Sequence, residues 1–69
     1  MNERVAIYIM DDVSYEVYAN YETVRDMDDR NVDYYDIYNS RTGECVNEGD
    51  PFYEFPTWQE VFDRYYAKV

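Results

Sequence analysis

Residues 4–10 (RVAIYIM) and 14–19 (SYEVYA) both alternate with a period of two, and only Asp11, Asp12 and Val13 separate them. β-Branched and aromatic residues dominate both runs, as in half-buried strands. So short a link forces an antiparallel hairpin, because a parallel partner needs a crossover of a dozen or more residues. In the first run Val5, Ile7 and Ile9 share one face, taken here as the core side, and Ala6, Tyr8 and Met10 share the other. In the second, Tyr15, Val17 and Ala19 oppose Glu16 and Tyr18.

A third strand is expected over 32–39, with Val32, Tyr34 and Tyr38 alternating with Asp33, Tyr35 and Ile37. NSRTGE then supplies a turn with Gly43 in the left-handed region, and Glu44–Asn47 returns as a short fourth strand. Residues 20–31 admit two readings. In one, Asn20 caps a short helix with Tyr21, Val24 and Met27 along one side. In the other, which is preferred, the second strand runs on to Thr23 and DMDDRN is a polar loop.

Thr57-Trp58-Gln59-Glu60 is a capping box, the signature of a helix start. Behind it Trp58, Val61, Phe62, Tyr65 and Val69 form one apolar stripe, which predicts a helix over 57–68. The expected fold is therefore α+β. A small antiparallel sheet of three to four strands carries the C-terminal helix on one face, within a single domain of residues 1–69. The expected core is Val5, Ile7, Ile9, Val17, Trp58, Val61, Phe62 and Tyr65, with tyrosines and acids on the opposite sheet face. A chain of this size buries only about 60% of its unfolded surface, so the core is thin.

Against that thin core stands a formal net charge of −10, from 16 acids and 6 bases with no His. Self-repulsion on this scale costs stability, so the field is expected to serve a purpose. It repels nucleic acid and anionic membranes and attracts basic surfaces, most of which belong to nucleic-acid-binding proteins. The chain is 46% hydrophobic and 20% aromatic, too apolar for a disordered acidic tail. Cys45 is the single cysteine, so no internal disulfide forms and a reducing compartment is expected. The start MNERVAIYIMDD lacks the layout of a signal peptide, and no apolar run reaches the ~18–20 residues of a membrane span. The expectation is a cytoplasmic protein, in the host cytoplasm if phage-encoded.

The residue inventory argues against catalysis. His, the commonest general base and metal ligand, is absent, and no base stands beside Ser14, Ser40 or Cys45. Two glycines cannot build a phosphate-cradling loop. An EF-hand begun at Asp26 meets Arg30, Asn31 and Ile37 where Asp or Asn, Gly and Glu belong. One begun at Asp29 meets Tyr34 in place of Gly and Ser40 in place of Glu. Paired carboxylates of the glycosidase kind need a cleft that so small a domain is not expected to have. No enzyme activity, cofactor or metal is expected.

What remains is a patterned acidic surface. Between Glu22 and Tyr38 six acids are interleaved with Met27, Tyr34, Tyr35 and Tyr38, and only Arg25 and Arg30 offset them. Same-face residues of a strand lie ~6.5–7 Å apart, a spacing able to approximate a ladder of phosphates. The candidate partner-binding residues are Glu22, Asp26, Asp28, Asp29, Asp33, Tyr35 and Asp36, with Asp11, Asp12 and Glu16 extending the track. Tyr35 and Tyr53 are expected to be exposed.

In size, charge, absence of His and acid–tyrosine interleaving the chain resembles small acidic DNA-mimic inhibitors of phages and mobile elements. That class includes anti-restriction proteins, anti-CRISPR proteins and uracil-DNA glycosylase inhibitors. The resemblance is one of composition, so it carries no residue roles. It implies a non-catalytic inhibitor in the basic nucleic-acid-binding groove of a host defence or DNA-repair protein, without direct contact to nucleic acid. The alternative is an acidic protein-interaction module that pairs through a tyrosine-rich sheet face or edge. A free sheet edge and a thin core also leave room for a homodimer.

Overall fold

The computed structural model describes residues 1–67. The elements are β1 (Asn2–Met10), β2 (Val13–Asn20), α1 (Val24–Asp28), β3 (Tyr34–Asn39) and α2 (Trp58–Val61), which continues as a π-helical turn over Phe62–Tyr66. The three strands form one antiparallel meander in the order β1-β2-β3. The fold is α+β, with a short C-terminal helix packed against the sheet. Lys68 and Val69, assigned by the sequence to the helix and its stripe, lie outside the described residues.

The hairpin closes at Met10 opposite Val13, around the two-residue turn Asp11-Asp12. Its sidedness corrects the sequence reading. Ile9 is 74% and Ile7 45% exposed, whereas Met10 is buried and Ala6 and Tyr8 pack against the core. β1 is apolar on both faces, so its own pattern cannot decide which face turns inward. β2 and β3 decide it: Tyr15, Val17 and Ala19 are buried on one face, and Ile37 joins them. Register then places Ala6 against Val17 and Tyr8 against Tyr15. Val5 has no opposite residue, because the register shifts between Arg4 and Ala6, and it packs against the core as expected. This one-residue bulge turns Arg4 to the face opposite the core, where it stands across from Tyr18.

The core consists of Met10, Tyr15, Val17, Ile37 and Val61, with Phe62 and Tyr65 packed against it. Thr57 caps α2 as expected. Its hydroxyl accepts from the Glu60 amide at 3.1 Å, and the Glu60 carboxylate accepts from the Thr57 amide at 2.9 Å. The bond from the Thr57 amide is the first cause that holds the Glu60 carboxyl below the usual carboxylate range. Trp58, expected in the core, is 42% exposed. Val61 takes the central position, and Trp58 lies at the rim, stacked on Phe62 at 5.0 Å. Its indole N–H donates to the Ile9 carbonyl at 3.4 Å. The Ala67 amide reaches back five residues to the Phe62 carbonyl at 2.8 Å, which makes the last turn π-helical rather than α.

A second correction concerns the fourth strand. Residues 44–52 form no strand. Cys45 makes a single bridge to Tyr38, and Phe52 one to Tyr35. The buried Asn47 side chain fills the gap between them: its Oδ1 accepts from the Ile37 amide at 2.9 Å, and its Nδ2 donates to the Tyr35 carbonyl at 3.1 Å. With the Asn39 and Tyr35 amides donating to this loop and the Ile37 carbonyl accepting from its Val46 amide, the outer edge of β3 is closed. The Gly43 turn is as expected, with φ 78°.

Residues 20–31 correct the preferred strand-and-loop reading. β2 ends at Asn20, and a five-residue helix follows, capped by Thr23 rather than Asn20. The helix stops in a Schellman-type turn. The Asn31 amide donates to the Asp26 carbonyl at 2.8 Å and the Arg30 amide to the Met27 carbonyl at 3.1 Å. Arg30 occupies the left-handed position with φ 57°.

Candidate functional site

Nine of the ten sequence-selected residues fall into three groups. Asp11 and Asp12 form the β1–β2 turn at one end of the sheet. Glu22, Asp26, Asp28, Asp29 and Asp33 cluster around α1 at the other end. Glu16 and Asp36 stand between them on the sheet face that no element covers. Tyr35 belongs to none of these groups. It is half-buried, packs against the core and meets the Phe55 ring edge-on at 5.4 Å, which corrects its expected exposure. Ile37, two residues on, points inward and carries Tyr35 to the same face. Tyr53 is 73% exposed, as expected.

Not every acid is free to attract a partner. Asp26 serves the local fold. One carboxylate oxygen accepts from the Thr23 hydroxyl at 3.0 Å and the other from the Asn31 amide side chain at 3.4 Å. Arg25 lies 3.8 Å from Asp29, Arg41 3.4 Å from Asp12, and Arg4 3.3 Å from Glu16. A fourth pair joins Arg64 to Asp50 at 3.6 Å. All four are solvent-exposed pairs, each worth about 0–1 kcal/mol, so they cancel charge without rigidifying the surface. Glu22, Asp28 and Asp33 are exposed and make no ion pair among the described residues.

The uncovered sheet face carries the most organised part of this surface. Register sets Glu16 opposite Tyr38 and Tyr18 opposite Asp36, a checkerboard of two acids and two tyrosines. Diagonal neighbours on such a face lie ~7–8 Å apart. The Tyr18 and Tyr38 rings meet edge to face at 5.5 Å with 84° between their planes. The Tyr18 hydroxyl donates to Glu16 Oε1 at 3.2 Å, and the Asn20 side chain donates to Asp36 Oδ2 at 3.0 Å. Burial and the Asp36 charge push the ionisation of Tyr38 upward. A depression of about 310 Å³ opens here, lined by Glu16, Tyr18, Tyr38, Asn39, Ser40 and others. Sequence reasoning chose Glu16 and Asp36 but missed Tyr18 and Tyr38 as site residues. The cross-strand register that joins the four was the missing information.

Among the described residues no group of three or more Asp, Glu or Cys side chains is placed to hold a metal ion. No helix among them is long and apolar enough to cross a membrane.

Fold and surface together define the class: an acidic α+β meander with a helix over one sheet face and an open acid–tyrosine pattern on the other. No protein family, curated protein or solved structure matches the chain.

Proposed function

We propose that the protein is a non-catalytic DNA-mimic inhibitor that occupies the basic nucleic-acid-binding groove of a host defence or DNA-repair protein in the cytoplasm. The supporting observation is the distribution of charge over an elongated body. The chain measures 39 × 18 × 18 Å and carries ten net negative charges. That is about one per 4 Å of length, near the ~3.4 Å per phosphate of one DNA strand. The acids occur at both ends of the sheet and on its open face, so a groove that tracks a phosphate backbone meets carboxylates along its whole course. Acids steer the encounter, and half-buried tyrosines add contact area.

The test is a pull-down from bacterial lysate with a salt gradient, followed by competition of duplex DNA for the captured protein. Displacement by DNA and elution at moderate salt support the reading. A partner that resists high salt and ignores DNA rejects it.

One observation favours the alternative, an interaction module without mimicry. Ile7 and Ile9 are exposed on the open face of the edge strand β1, a place where apolar side chains normally gain nothing unless covered. In that case Ile9→Lys abolishes capture, and reversal of the acids leaves it nearly intact.

A further inference from the structure

We propose that the checkerboard of Glu16, Tyr18, Asp36 and Tyr38 is a docking site for one guanidinium group, supplied by an arginine of the partner protein. The proposal rests on the acidic-surface reading above and names the chemistry that its central part accepts.

Three features select the occupant. First, the depression offers the Tyr18 and Tyr38 rings, set nearly at right angles, together with the Glu16 carboxylate, while Asp36 stands beside it, across the strand from Tyr18. A guanidinium is planar, weakly hydrated and rich in donors, so it can stack on a ring while it bonds a carboxylate. An ammonium is a strongly hydrated point charge and loses more on leaving water. Second, the net charge of −10 rejects anions and opposes a second copy of the chain, so a cation is the complementary guest. Third, the site already handles this chemistry within the molecule. The bulge at Val5 turns Arg4 onto the open face, where its Nη1 lies 3.3 Å from Glu16 Oε1.

Arg4 does not fill the site. Its side chain is 52% exposed, and the Glu16 side chain remains 23% exposed. An exposed pair of this kind is weak, so an incoming arginine can displace it. Asp36 is already oriented by Asn20 through one oxygen, and its other oxygen has no partner among the described residues. Arg4 is thus a built-in competitor, which occupies Glu16 until a better-stacked guanidinium arrives.

The experiment uses the full chain and small probes, so it needs no identified target. Ethylguanidinium and ethylammonium are titrated at constant ionic strength, and the ring resonances of Tyr18 and Tyr38 are followed by NMR. Ethylguanidinium is expected to shift these rings saturably at millimolar concentration, with ethylammonium several-fold weaker. Tyr38→Leu should weaken binding roughly three- to tenfold. Arg4→Gln, an exposed change that spares the fold, should tighten it by removing the competitor. Unsaturable shifts spread over all the acids overturn the proposal, as does an Arg4→Gln protein that binds no more tightly. If the site fails while DNA still displaces the captured partner, the mimic reading stands and its arginines dock elsewhere. If the site binds and DNA does not compete, arginine docking stands and groove occupation falls.

Discussion

The Asn47 side chain acts as a missing strand for β3: its Oδ1 accepts the Ile37 amide proton at 2.9 Å while its Nδ2 donates to the Tyr35 carbonyl at 3.1 Å. Both backbone groups would otherwise be stranded at the rim of the core. Asn47→Ala removes these two bonds, together with longer ones from the Cys45 thiol at 3.3 Å and to the Asp50 carbonyl at 3.5 Å, and leaves the Ile37 amide and the Tyr35 carbonyl unsatisfied. The expected loss is about 3 kcal/mol, a large fraction of the stability of so small a domain. Urea denaturation measures the loss, and hydrogen exchange at the Ile37 amide locates it. A loss below ~1 kcal/mol would mean that water or a rearranged loop replaces the side chain.

Arg30 offers the opposite opportunity. It ends α1 in the left-handed region, φ 57°, where an L-residue carries a cost of roughly 1–2 kcal/mol and glycine does not. Glycine has more freedom to lose on folding, which cancels part of the gain. Arg30→Gly is expected to raise stability by about 0.5 kcal/mol, seen as a small rise in Tm. A fall in Tm would show that the Arg30 side chain contributes more than its backbone strain removes.

These two residues also mark where the sequence stops being legible. The hairpin, the third strand and the capping box are local patterns and can be read directly. Asn47 cannot, because its role depends on which backbone groups of β3 the returning loop leaves open. The sidedness of β1 is hidden for a related reason. Ile7 and Ile9 look more core-like than Ala6, Tyr8 and Met10, yet β2 and β3 have only one apolar face to offer, and register ties β1 to it, with Val5 alone of the expected β1 set packing on the core. Periodicity alone puts Trp58 in the core, whereas Val61 takes the central position and Trp58 lies at the rim. The acids of the candidate site were legible by composition. Their grouping with Tyr18 and Tyr38 was not, since a checkerboard exists only once two strands are paired.

Stability should fall at both extremes of pH. Tyr8, Tyr15, Tyr21, Tyr38, Tyr65 and Tyr66 all have ionisations raised above 10.0, by burial first and by neighbouring carboxylates in most cases. A folded-state value above the unfolded one stabilises the protein below the unfolded pKa, and that stability is lost as pH rises through the folded value. Unfolding is therefore expected to accompany the rise of tyrosinate absorbance above pH 10. Glu60 has the opposite sign. Its value lies below 4.5, so the cap contributes above that pH and is lost as pH falls through the depressed value. Thermal melts across the pH range check both limbs. Glu60→Gln should flatten the acid limb, and an acid limb unchanged by that substitution would remove the cap from the account.

Asp28 and Asp29 provide the sharpest test of the acidic surface as a contact surface. Both are exposed at the end of α1, and neither carboxylate closes a cap, unlike Asp26. Only Asp29 has a basic neighbour, Arg25 at 3.8 Å, in a pair that is almost fully solvated. Reversing both to Lys changes the local charge by four units without removing a buried contact, so Tm should move little. Association with the captured partner should weaken tenfold or more, mainly through a slower on-rate, and the salt dependence of binding should become shallower. The neutral pair Asp28→Asn and Asp29→Asn should fall between the two. If the reversed protein melts normally and binds as before, the α1 end lies outside the interface, and recognition belongs to the open sheet face alone.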